Sequence, residues 1–122
     1  MSNAKGLILF AHGARDPRWS APFQSVLARV EARAPERAPI LAFLELMTPD
    51  LESAIALQVQ RGFEAIRIVP LFLGPGGHVR DDLPRLAQTA REQYPQVRIE
   101  LATPAGEDPD IIDALADYCL SR

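Results

Sequence analysis

The sequence predicts an α/β fold, a doubly wound four-stranded parallel sheet with helices on both faces. Two observations carry this. Four short apolar runs recur along the chain, and each is followed by a stretch with apolar residues at helical spacing. The pairs Asp16-Pro17, Thr48-Pro49 and Asp108-Pro109 stand where three of those stretches begin, and each couples an N-cap residue to a proline suited to the first helical position. Strands that alternate with helices pair in parallel through right-handed crossovers. The expected strand order is 2-1-3-4, which puts the topological switch point between strands 1 and 3.

The elements follow in order. Leu7–Ala11 is an uninterrupted apolar run, as expected of a strand buried on both faces. Asp16-Pro17 opens the first helix, with Phe23, Val26, Leu27 and Val30 on its apolar side. Residues 40–44 form the second strand, with Glu45 at its end. Thr48-Pro49 repeats the start signal for a helix through Leu51, Ala54, Ile55 and Val59, which Gly62 terminates. Ala65–Leu71 is the third strand, and the glycine-rich loop Gly74-Pro75-Gly76-Gly77 follows it. Asp81 or Asp82 then caps a helix through Leu83, Leu86, Ala87, Ala90 and Tyr94. Val97–Leu101 is the fourth strand. Asp108-Pro109 opens the last helix, with Ile111, Ile112, Leu115 and Cys119 facing the core.

Bulk properties narrow the function classes. A chain of 122 residues with 48% hydrophobic and 24% charged residues suits one globular domain, residues 1–122. A net charge of −3 argues against general nucleic-acid binding. One cysteine excludes an internal disulfide and fits a reducing, cytoplasmic setting. No apolar run reaches membrane-spanning length or reads as a signal peptide.

The chain has only two histidines, and each lies just beyond a predicted strand beside glycine: His12 before Gly13, and His78 after Gly77. Ligands of open α/β sheets bind beyond the carboxyl ends of the strands. Glu45 lies midway, 33 residues from each histidine, so each of the three sits one β-α unit beyond the last at the same sheet edge. Two imidazoles and a carboxylate suit a divalent first-row metal such as cobalt, iron, nickel or zinc, with an open coordination position. Arg15, Arg18, Arg80 and Arg85 lie close to the histidines in sequence.

The segments His12-Gly13-Ala14-Arg15-Asp16-Pro17, Glu45-Leu46-Met47-Thr48-Pro49 and residues 69–79 (VPLFLGPGGHV) resemble, in order and spacing, the signature blocks of the class II chelatases. The match is to the small CbiX/SirB type, the sirohydrochlorin cobalto- and ferrochelatases, and it runs from Leu7 to the last helix. This resemblance implies insertion of Co(II) or Fe(II) into sirohydrochlorin on the way to cobalamin or sirohaem. It implies His12 and His78 as active-site histidines, with Glu45 beside them at the metal site. The metal is a substrate, with nickel also compatible with these ligands, and no organic cofactor is implied. The macrocycle carries many carboxylates, so Arg15 and Arg80 are its expected partners. Ala14 departs from the serine common among relatives, which removes a hydroxyl beside His12.

Larger relatives enclose the tetrapyrrole between two such modules. A single module therefore implies a homodimer with a shared cleft, for which Trp19, Leu46, Met47 and Phe72 are candidate interface or macrocycle contacts. Trp19 and Phe23 also suit packing of the first helix. The competing reading is a non-catalytic metal-binding or delivery protein using the same ligands. A histidine phosphatase would need arginine where Ala11 stands, and the glycine loop lacks both the P-loop and the dinucleotide patterns.

Overall fold

The computed structural model describes residues 4–74 and 77–121, with only the backbone of 77–80. Its sheet is parallel, with β1 (Gly6–Ala11), β2 (Ile40–Phe43), β3 (Ala65–Pro70) and β4 (Arg98–Leu101) in the order β2-β1-β3-β4. The expected order is thus observed. β1 is buried along its whole length between β2 and β3, which is why it is apolar throughout. Four α-helices follow the strands: α1 (Ala21–Arg33), α2 (Leu51–Gln60), α3 (Gly77–Gln93) and α4 (Pro109–Ser121).

The sheet separates two apolar clusters. On one face Ile8, Phe10, Ile66 and Ile68 meet Leu51, Ala54 and Ile55 of α2 and Leu83 and Ala90 of α3. On the other, Leu7, Leu9, Leu41 and Phe43 meet Phe23, Leu27 and Val30 of α1. Alternate residues of one strand feed opposite layers, as the period of two requires. No residue of α4 is buried. Cys119, expected in the core, is exposed, and Ile111, Ile112 and Leu115 are exposed beside it. Amphipathic spacing gave α4 an apolar side but could not say whether this chain covers it.

Helix starts also differ from expectation in informative ways. Asp16 accepts a hydrogen bond from the Arg18 amide at 2.9 Å, but the turn it caps is a short 3-10 segment, Pro17–Ser20, and α1 begins only at Ala21. α2 is capped by Asp50, which accepts from the Ser53 amide at 2.8 Å, not by Thr48. Asp81 and Asp82 lie inside α3, which starts at Gly77. Asp108 caps α4 as expected, accepting from the Asp110 amide at 2.8 Å.

Gln58 of α2 is the one buried polar side chain among the described residues, and sequence reading passed over it. Its Nε2 donates to the carbonyls of Leu7 at 3.1 Å and Ala38 at 2.8 Å, while its Oε1 accepts from Arg61 at 3.1 Å. It therefore ties α2 to the start of β1 and to the turn before β2. A buried amide held this way stabilises by satisfying carbonyls that leave water on folding. Gln58→Leu should cost about 1–3 kcal/mol, read as a lower urea midpoint at unchanged slope. An unchanged midpoint would show that these carbonyls need no donor.

Candidate metal-handling site at the carboxyl edge of the sheet

The carboxyl ends of β1, β2 and β3 form one edge, and backbone bonding continues past them. The Leu44 amide donates to the Ala11 carbonyl at 2.9 Å, the Glu45 amide to the His12 carbonyl at 3.1 Å, and the Leu71 amide to the Phe10 carbonyl at 2.8 Å. His12 and Glu45 thus sit side by side on extensions of neighbouring strands. Glu45 does not end β2 itself, which stops at Phe43, but lies in the turn beyond it.

The two side chains meet. His12 Nε2 is 3.2 Å from Glu45 Oε1, and both are about half exposed, at 46% and 54%. An imidazole and a carboxylate this close, open to solvent, can share a proton or turn together to one cation. Phe72, which follows β3, stands edge-on to His12 with ring centroids 6.2 Å apart and edge-on to Phe10 at 5.8 Å. The imidazole therefore has an apolar wall on the β3 side and the carboxylate on the β2 side.

Glycine makes this approach possible. Gly13 has φ +97°, and a Cβ built there would lie 1.9 Å from the Glu45 carbonyl oxygen. Only a residue without a side chain lets the chain leave β1 beneath the Glu45 backbone. On the other side the Gly106 amide donates to the Phe72 carbonyl at 2.7 Å, and a Cβ on Gly106 would lie 1.7 Å from the Leu73 carbonyl oxygen. The turn after β4 thereby braces the segment that leads from β3 towards His78.

The expected site residues are placed as follows. His12 and Glu45 come together. His78 falls in the first turn of α3, the helix that follows β3, rather than in a loop. The side chains of His78 and Arg80 lie outside the described residues, as do Pro75 and Gly76. Among the described residues no group of three potential metal donors occurs, so His12 and Glu45 stand as a pair. Arg15, three residues after His12, is exposed and forms no ion pair among the described residues. Arg18 is taken up by a two-toothed contact with Asp16, at 2.8 Å and 3.1 Å, which holds the Asp16 carboxyl below its usual range.

The other candidate contacts divide. Phe72 is buried, whereas Met47 and Trp19 are partly buried against the α1-side core, where Trp19 stacks on Phe23 at 4.7 Å. Leu46 remains exposed at 57%. A groove between α2 and α3, lined by Leu51, Ile55, Leu86, Ala90 and Tyr94, contains neither His12 nor Glu45. Among the described residues no helix is long and apolar enough to cross a membrane.

Comparison with known proteins bears on this edge. A family model described as CbiX matches residues 6–120. A sirohydrochlorin ferrochelatase of Priestia megaterium is 29% identical over 111 residues, covering 91% of this chain and 42% of the relative. The crystal structure of a CbiX protein from Marinobacter aquaeolei VT8 superposes with a TM-score of 0.79 at 33% identity, covering 94% of this chain and 93% of that one. The sirohydrochlorin chelatase SirB from Bacillus subtilis subspecies spizizenii, solved in complex with cobalt, gives 0.80 at 25% identity, covering 97% and 50%. The chain therefore spans about half the length of the ferrochelatase and of SirB, and nearly all of the Marinobacter protein.

Proposed function

The chain belongs to the CbiX family, and on that premise we propose that it is an enzyme inserting Co(II) or Fe(II) into sirohydrochlorin. The observation that carries the reading is the His12–Glu45 contact of 3.2 Å at the carboxyl edge, beside the switch point between β1 and β3. Insertion breaks two pyrrole N–H bonds, forms bonds from the macrocycle nitrogens to the metal, and releases two protons. A neutral imidazole can hold the incoming ion or accept a proton near pH 7, and the adjacent carboxylate can take the other task. His12 and Glu45 are assigned these two roles. His78, carried by α3 just after β3, completes the ligand set in this reading. Arg15 and Arg80 are assigned to the carboxylates of the macrocycle, where guanidinium forks are well matched.

The metal is a substrate, and no organic cofactor enters the chemistry. Residues 1–122 act as one module in the cytoplasm. A second copy supplying the other wall of the macrocycle cleft, as a homodimer, belongs to this reading; SirB, of which the match covers 50%, has room for two such modules. The test is an anaerobic assay of the purified protein with sirohydrochlorin and Co(II) or Fe(II), following the absorption spectrum. Metal-dependent conversion faster than the spontaneous reaction is expected. Tight metal binding with no acceleration for either ion would favour a delivery protein instead.

A further inference from the structure

Leu46 adopts a backbone that leucine rarely takes. Its φ is +65°, and the Met47 amide donates to the Glu45 carbonyl at 2.8 Å, so residues 45–47 form a γ-turn of the uncommon, strained hand. Glycine or asparagine would sit there with less strain. The turn sends Met47 back into the α1-side core and leaves Leu46 57% exposed next to Glu45. On the opposite side of His12, Leu73 follows buried Phe72 and is 65% exposed, its backbone braced by Gly106. Outside α4, these are the two most exposed large apolar side chains among the described residues.

Their placement is not scattered. The register pairs Ala11 with Phe43 and Phe10 with Pro70, so His12 is level with Leu44 and Phe72. Leu46 lies in the turn beyond β2, next in sequence to Glu45, and Leu73 lies beyond β3, next to Phe72, so each adjoins a residue whose side chain contacts His12. An exposed leucine held in a strained turn gains nothing for the fold from its side chain. Such outliers persist where a site uses them.

We propose that Leu46 and Leu73 form an apolar platform for the flat face of the tetrapyrrole, seating its centre over the His12–Glu45 pair while the arginines take its rim. This rests on the functional reading above and adds the residues that would recognise the macrocycle face. Apolar CH groups against an aromatic ring exclude water from both surfaces. They also fix the ring's height above the metal ligands, which rim charges alone would leave free.

The experiment uses Leu46→Gly, which removes the side chain and relieves the turn, with Leu46→Asn as a second variant that tolerates positive φ. Melting temperature, solution mass, binding of metal-free sirohydrochlorin by absorption titration, and steady-state kinetics are measured on each. The expected result is an unchanged or higher melting temperature, unchanged mass, and sirohydrochlorin binding weaker by about tenfold. KM for the macrocycle should rise by a similar factor and KM for the metal should not. A lowered melting temperature would make Leu46 a packing residue and overturn the platform. A lowered solution mass with unchanged macrocycle affinity would make it a contact between copies and overturn it equally. Wild-type turnover separates the two levels: none at all sinks the functional reading, whereas normal wild-type turnover with an unchanged KM in Leu46→Gly sinks only the platform.

Discussion

His12→Ala should lower metal insertion by about 10²–10⁴-fold while leaving the fold intact. The imidazole is half exposed, and its contacts are the Glu45 carboxylate and the Phe72 edge. Removing a side chain at such a position changes stability by only a few tenths of a kcal/mol. The melting temperature should therefore stay within about 2–3 °C of wild type. Steady-state assay and thermal denaturation on the same preparation check both halves. A folded His12→Ala protein with wild-type turnover would remove His12 from the chemistry.

Gly13→Ala should damage stability and activity together, for a different reason. The positive φ of +97° costs a residue with a Cβ about 1–3 kcal/mol. The Cβ would also press into the Glu45 carbonyl oxygen, a backbone atom held by the bond between the Glu45 amide and the His12 carbonyl. Relief requires β1 and the Glu45 turn to move apart, which separates His12 from Glu45. A melting temperature lower by about 5–15 °C is expected. Insertion should be strongly reduced even at temperatures where the protein is fully folded. Normal turnover in the folded fraction would show that the His12–Glu45 approach tolerates this displacement.

How far the molecule could be read from its sequence depends on what each feature rests on. The sheet order and the four strands were legible because β1 is apolar at every position and because α2 and α4 open on a capping aspartate beside a proline. The same signal misled by two residues at α2, where Thr48-Pro49 matched the pattern but the Asp50 carboxylate makes the bond to Ser53. The His12–Glu45 pairing was legible as one β-α spacing, since adjacent parallel strands deliver equivalent positions to one edge. The γ-turn at Leu46 was not, because leucine carries no sequence signal for positive φ. Nor was Gln58, whose burial depends on carbonyls far away in sequence. The exposure of Cys119 and its apolar neighbours was hidden too, because periodicity defines a face and not its cover.

The central claim is that the carboxyl edge receives the metal through His12 and Glu45. X-ray absorption at the cobalt edge, on protein loaded with one equivalent of Co(II) before any macrocycle is added, tests it most directly. Imidazole scattering together with oxygen ligands is expected in the wild type. The imidazole signal should weaken in His12→Ala and persist in Arg15→Ala. A cobalt environment of oxygen alone, or one that His12→Ala leaves unchanged, would contradict the claim and place the metal elsewhere on the protein.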